Sequence, residues 1–276
     1  MTFILSGFAD EISPEPSVQL ATLAAESIRH LELRSAWSVN VASLTDAQLA
    51  RFRRETADAG VRVSAIGSPI GKIGIGEPLR PELERLRRIA DVAGLFGTPI
   101  VRVFSFFIPP GEPPARFRQA VIDRMGALAQ VAAERGIVLA HENEKEIYGD
   151  IPERCVDLIT SVGSPALRAT FDAANFVQCG VRPHSDGYQP LRPYLVYLQV
   201  KDALAASGQV VPAGQGDGEV RETLAALAAS GFSGYVSLEP HLAQALRYGG
   251  FSGPHEFRQA AAALKGLLSE LSIPWQ

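Results

Sequence analysis

The chain has 276 residues, with 26 Lys+Arg against 30 Asp+Glu, a formal net charge of −4 and 46% hydrophobic residues. That length suits one large domain better than two, and without a basic block or arginine-rich tail the chain has little with which to neutralise a phosphate backbone, so no nucleic-acid partner is expected. The opening MTFILSGFADEIS has neither a charged lead nor a long apolar run, and no later segment approaches the ~20 apolar residues that span a bilayer; a soluble, cytoplasmic protein with no membrane partner is expected. The two cysteines, Cys155 and Cys179, stand far apart without metal-ligand spacing, which argues against a disulfide framework or a thiolate zinc site.

Short aliphatic runs alternate with longer stretches of helical period. Strands are predicted over Thr2 to Phe8, His30 to Arg34, Val61 to Ile66 and Pro99 to Phe104. Four more follow over Ile137 to Glu142, Leu167 to Asp172, Tyr194 to Val200 and Tyr235 to Pro240. Between the fourth and fifth, Phe117, Val121, Met125, Leu128 and Ala132 recur at steps of three and four, which stripes one face of a helix for packing against the sheet. Gly60, Gly136 and Gly231 each precede a strand, where a left-handed residue ends the previous helix at low cost. Long loops are expected over Ser68 to Pro81, Ser105 to Pro114 and Phe176 to Pro190. Eight βα units of about 30 residues each would use roughly 250, so the expected fold is α/β, a single (β/α)8 TIM barrel over residues 1–276.

In such a barrel the polar residues that end the strands face the active site. Here the last four runs end in His141-Glu142-Asn143-Glu144, in Phe171-Asp172, in Gln199 followed by Lys201-Asp202, and in Glu239-Pro240-His241. Each has an ordinary explanation alone: a solvated glutamate, an aspartate capping the next helix, a surface ion pair. Four consecutive strands ending in oxygen donors converge on one side of the mouth, however. Three carboxylates so close would repel unless a divalent cation neutralised them, so a metal is expected.

The stretches HENEKEIYGD from His141, FDAANFVQCG from Phe171, VKDA with the downstream PAGQGDG from Pro212, and SLEPHL from Ser237 resemble the sugar phosphate isomerase/epimerase family, the xylose-isomerase-like TIM barrels. The resemblance implies one divalent metal held by Glu142, Asp172, Gln199 and Glu239. It also implies a sugar or polyol substrate, with Glu142 and Glu239 as paired acid and base on opposite faces of it. Two departures stand out: the family's strand-seven histidine is Gln199 here, and a histidine common three residues after the aspartate is Asn175. An amide carbonyl is a harder ligand than imidazole, so Mn or Mg is favoured and binding should be weaker, with Zn or Co still open.

A metal chelated by adjacent oxygens of a hydroxy-ketone acidifies the C–H between them and stabilises the enediolate. Lys201 lies two residues beyond Gln199 on the same strand face, close enough to steady that charge. His241, Asn175, Arg182 and Lys145 are candidate substrate contacts, with Glu144 and His184 as lesser ones, although solvated loop positions explain several of them equally. The PAGQGDG amides could cradle a phosphate or simply reverse the chain, and Phe8, Trp37, Phe104, Phe106 and Phe107 could wall a sugar site or pack the core. Two other readings stay open: dehydration of a keto-inositol or related polyol, and a sugar-binding barrel that has lost catalysis. A homo-oligomer is compatible with the sequence, but no patch decides it.

Overall fold

The computed structural model describes residues 2–246 and 249–276, with no side-chain description over 244–250. Eight strands run parallel: β1 (Ile4–Gly7), β2 (His30–Leu33), β3 (Arg62–Gly67), β4 (Ile100–Val103), β5 (Val138–Glu142), β6 (Leu167–Asp172), β7 (Leu195–Val200) and β8 (Tyr235–Leu238). They pair in the order β1-β8-β7-β6-β5-β4-β3-β2, and a parallel bridge between Phe8 and Glu32 brings β1 against β2, nearly closing the barrel. All eight coincide with the predicted runs.

Helices return the chain between strands: α1 (Pro16–Ala25), α2 (Asp46–Asp58), α3 (Arg80–Phe96), α4 (Arg118–Arg135), α5 (Pro152–Val162), the short α6 (Ala173–Gln178), α7 (Val220–Ala229) and α8 (Gly253–Glu270). In α4 the predicted stripe is the buried face, with Val121, Met125, Leu128 and Ala132 all sealed from solvent. Removing each larger side chain of that stripe from water stabilises the fold by roughly 1.5–3 kcal/mol. Gly136 ends α4 at φ 66°, in the left-handed region that a side chain would strain. No helix among the described residues is long and apolar enough to cross a membrane. Cys155 and Cys179 are both free, the first buried with its thiol donating to the Gly149 carbonyl at 3.2 Å.

The span Phe176 to Pro190, expected as a loop, is largely helical: it begins inside α6 and continues through helical turns at Pro183–Tyr188 and Gln189–Leu191. The reason is local. Asp172 caps α6, its carboxylate accepting from the Asn175 N–H at 2.9 Å, so helix starts directly at the strand end.

The barrel interior beneath the mouth is polar. Ser6 on β1, Ser64 on β3 and Tyr197 on β7 meet across it, with Ser6 Oγ to Ser64 Oγ at 2.7 Å and Ser64 Oγ to Tyr197 Oη at 2.8 Å. Above this layer Ser237 donates to the buried Glu32 carboxylate at 3.2 Å.

Candidate active site

Parallel pairing sets the ends of β5 to β8 side by side, with Glu142 opposite Thr170, Asp172 opposite Gln199 and Gln199 opposite Ser237. Glu142, Asp172 and Glu239 are buried and offer carboxylate oxygens that all lie within 4.8 Å of one another. Gln199 is buried beside them. Its amide nitrogen donates to Glu32 at 3.3 Å, while its carbonyl oxygen has no hydrogen-bond partner among the described residues. Three clustered carboxylates and an unpaired amide oxygen make an oxygen-donor set that fits one hard divalent ion.

The structure corrects the electrostatic argument that a metal must be present. Three protein cations already reach these carboxylates. Lys201 Nζ stands 2.9 Å from both Asp172 Oδ2 and Glu239 Oε2, Arg34 Nη1 donates to Glu239 Oε1 at 2.8 Å, and Arg102 Nη1 donates to Glu142 Oε2 at 2.6 Å. Part of the repulsion is therefore relieved from within the chain, so carboxylate repulsion by itself does not require a dication. Arg34 also holds Asp10 at 2.7 Å and Glu11 at 2.6 Å, so one buried guanidinium ties β2 to the residues that follow β1.

These neighbours separate the acids. Burial opposes ionisation of Glu239, but Lys201, His241 and Arg34 outweigh it and hold the carboxyl well below the usual range. Asp172 goes the other way: burial, reinforced by Glu142 and Glu239, pushes it up to about 7 despite Lys201. Burial also lifts Glu32 to about 8, with Arg102 opposing and Glu239 and Glu142 adding to the rise. His241 loses charge stability on burial yet is raised by Glu239 and Glu11, its Nε2 lying 3.1 Å from Glu11 and 3.4 Å from Glu239.

Of the other residues singled out in the sequence, Asn175 joins the cluster. Its amide donates to Glu142 Oε1 at 3.1 Å and to the Asn143 carbonyl at 2.9 Å, fixing the glutamate's orientation. Asn143 in turn brackets the Asp172 backbone, donating to its carbonyl at 2.8 Å and accepting from its N–H at 2.9 Å. Lys145 is exposed and donates to Gln178 at 2.6 Å, and Arg182 is exposed and paired with Asp186 at 2.9 Å; neither touches the carboxylates. His184 bonds through its backbone N–H to Glu219 at 2.8 Å, and Glu144 meets Lys72 at 3.4 Å. Phe8 and Phe104 are buried under the site's cations, with Arg34 at 4.5 Å and Arg102 at 5.3 Å over Phe8, and Arg102 at 4.5 Å over Phe104.

The PAGQGDG turn is not a phosphate cradle. The backbone N–H groups of Gly214, Gly216 and Gly218 all donate to the Asp202 carboxylate, at 2.9, 3.0 and 2.8 Å. Glycine at 216 is required by this approach, since a Cβ there would stand 2.6 Å from the Ala203 carbonyl oxygen and would also strike Asp202.

Sequence reasoning missed Asp10, Glu11, Glu32, Arg34 and Arg102. The signal was present: Glu32 and Arg34 alternate with Leu31 and Leu33, and Arg102 lies between Val101 and Val103, so charges share one face of strands whose other face is aliphatic.

An eight-stranded parallel barrel whose last four strands end in buried oxygen donors defines a class of barrel with a carboxylate centre at its carboxyl rim. The chain belongs to the xylose isomerase-like TIM barrel family, whose model matches residues 20–267. It is 32% identical over 191 residues to 2-epi-5-epi-valiolone 7-phosphate 2-epimerase from an Actinoplanes strain, the match spanning 65% of this chain and 65% of that relative's length. Among solved structures it is similar to a D-tagatose 3-epimerase-like protein, with a TM-score of 0.80 at 14% identity over 98% of both chains. It is also similar to a xylose isomerase-like TIM barrel protein from Mycobacterium smegmatis in complex with magnesium, with a TM-score of 0.70 at 20% identity over 98% of this chain and 97% of that one. At those identities the two structures establish the shared fold.

Proposed function

We propose that this chain is a divalent-metal-dependent epimerase or isomerase of a keto-sugar, keto-polyol or sugar phosphate, acting by proton transfer at the carbon beside a carbonyl. The observation that carries the reading is the buried Glu142, Asp172 and Glu239 cluster, with the unpaired Gln199 carbonyl beside it. The Actinoplanes relative, named as a 2-epimerase, supports epimerisation over aldose-ketose exchange. Glu142, Asp172, Gln199 and Glu239 would hold the ion, and an oxygen-only shell favours Mn or Mg over Zn or Co. When bound, the ion supplies Lewis acidity toward the carbonyl and a neighbouring hydroxyl.

The chain's own residues do the rest. Glu239, kept ionised by Lys201 and Arg34, is the base that removes the carbon-bound proton. Glu142 approaches from β5, with β6 and β7 lying between it and Glu239; it takes a proton from water and delivers it to the carbon from the other side, while the proton on Glu239 returns to water and resets the pair. Lys201, at 2.9 Å from Glu239 and Asp172, steadies the negative charge that develops on the substrate oxygen. Arg102 and Asn175 lock the Glu142 carboxylate from both of its oxygens, which fixes the angle of delivery.

The test is product analysis by NMR over a panel of keto-sugars and keto-cyclitols, with Mn and with chelator. A stereoisomer of the starting ketone, formed only with metal, supports the reading. Loss of water to an unsaturated product would replace it with a dehydratase, and binding without turnover would leave a sugar-binding barrel.

A further inference from the structure

Across the mouth from the carboxylate cluster, on the β2 to β4 side, lies a cavity of about 490 Å³. Arg34 enters it from the end of β2, Lys72 from the chain after β3, Arg102 from β4 and Arg85 from α3, with Asn40 and Ser43 adding polar groups from the segment before α2. No carboxylate is among its described lining residues, but each cation is backed by one outside the cavity: Arg34 by Asp10, Glu11 and Glu239, Lys72 by Glu144, Arg85 by Glu82 and Arg102 by Glu142. Three of the four cations are nearly sealed from bulk water, with side-chain exposures of 6% for Arg34, 9% for Lys72 and 6% for Arg102.

Guanidinium and ammonium groups donate hydrogen bonds and accept none, so this wall suits a ligand that only accepts. A sugar hydroxyl, which must also donate, finds side-chain acceptors in this lining at Asn40 and Ser43 and not at the four cations. The guanidiniums retain capacity after meeting their acidic neighbours. Arg102 gives one N–H to Glu142, and its buried Nε has no hydrogen-bond partner among the described residues. Gly67 leaves the room that Arg34 occupies: a Cβ there would come within 2.9 Å of the Phe8 ring and 3.0 Å of Arg34 Cβ. A single carboxylate would be satisfied by one guanidinium fork, whereas N–H donors converging from four side chains match a group with three acceptor oxygens.

We propose that this cavity is the subsite for a phosphate monoester carried by the substrate. The placement rests on the function proposed above, because two of the lining arginines bond directly to the glutamates assigned to proton transfer, Arg34 to Glu239 and Arg102 to Glu142. A phosphate held here lies at the far end of a polyol whose carbonyl faces the carboxylates. It selects phosphorylated over neutral substrates and sets their direction in the barrel.

The test is calorimetric binding of D-fructose 6-phosphate, D-fructose and D-glucuronate to the full chain with Mn, alongside inorganic phosphate. The phosphate ester should bind at least about tenfold more tightly than the neutral sugar, as expected for charge-assisted bonds. Inorganic phosphate should compete with the ester. In Lys72→Gln and Arg85→Gln the preference should shrink several-fold while D-fructose binding stays unchanged. Equal binding of ester and neutral sugar, or an equal gain for the carboxylate sugar, would overturn the proposal, as would an unchanged preference in folded variants. These are binding readouts, so a chain that prefers the ester but turns nothing over would sink the proposed chemistry and leave the subsite standing.

Discussion

Replacing Lys201 by methionine tests whether one internal ammonium holds the carboxylate centre together. Lys201 Nζ sits 2.9 Å from Asp172 Oδ2 and 2.9 Å from Glu239 Oε2, and the flanking side chains are 0% and 3% exposed. Methionine keeps much of the aliphatic volume and removes the charge. Deleting one partner of a buried pair leaves uncompensated charge and costs about 3–5 kcal/mol. At about 2 °C per kcal/mol for a chain of this size, the melting temperature should fall by roughly 6–10 °C in metal-free buffer. A dication held by these carboxylates would replace the lost charge, so Mn should raise the variant's melting temperature more than the wild type's. Saturation to ~100 times the dissociation constant is worth about 2.7 kcal/mol. Differential scanning calorimetry with chelator and with Mn reads both effects. A variant that melts within about 1 °C of wild type without metal, or one indifferent to Mn, would refute the reasoning.

Two further outcomes follow from sites away from the cluster. Gly216→Ala forces a methyl against the Asp202 carboxylate and the Ala203 carbonyl, and should lower stability by about 1–3 kcal/mol in denaturant unfolding; an unchanged midpoint would mean that the turn relaxes freely. Burial, helped by Arg62, lowers the His30 pKa below its ordinary 6.5, so the unfolded chain binds this proton more readily than the native one. The His30 contribution to stability should therefore be fully present above about pH 6.5 and be lost as the pH falls below it, while Asp172 and Glu32, raised to about 7 and about 8, act in the opposite direction as the pH rises. His30→Gln should flatten part of that slope in melts between pH 7 and pH 5, and an identical slope would assign the loss to other groups.

The barrel was legible in the sequence because eight aliphatic runs at regular spacing admit few arrangements. The carboxylates of β5, β6 and β8 and the amide of β7 were legible because each stands at or near the end of its run. The cations that face them were not. Arg34 and Arg102 read as inward-facing by alternation, but their partners are set by closure of the barrel, which brings Arg34 to Glu239 across 205 positions of sequence. That missing information is why repulsion alone pointed to a metal, when Lys201, Arg34 and Arg102 already supply positive charge. Likewise, the PAGQGDG turn could be read as an anion cradle or as a chain reversal, because nothing local shows that Asp202 takes up its amides. The helical turns after Phe176 were hidden by Pro183 and Pro190, which stand at first-turn positions of short helices that a linear reading takes for loop.

Solvent isotope exchange probes the central chemistry most directly. The chain, loaded with Mn and incubated with a phosphorylated keto-polyol in heavy water, should place deuterium on the carbon beside the carbonyl, and Glu239→Gln should stop this while leaving the melting profile cooperative. Absence of deuterium from every ketone tried, or exchange that persists undiminished in the glutamine variant, would contradict the assignment of Glu239 as the base.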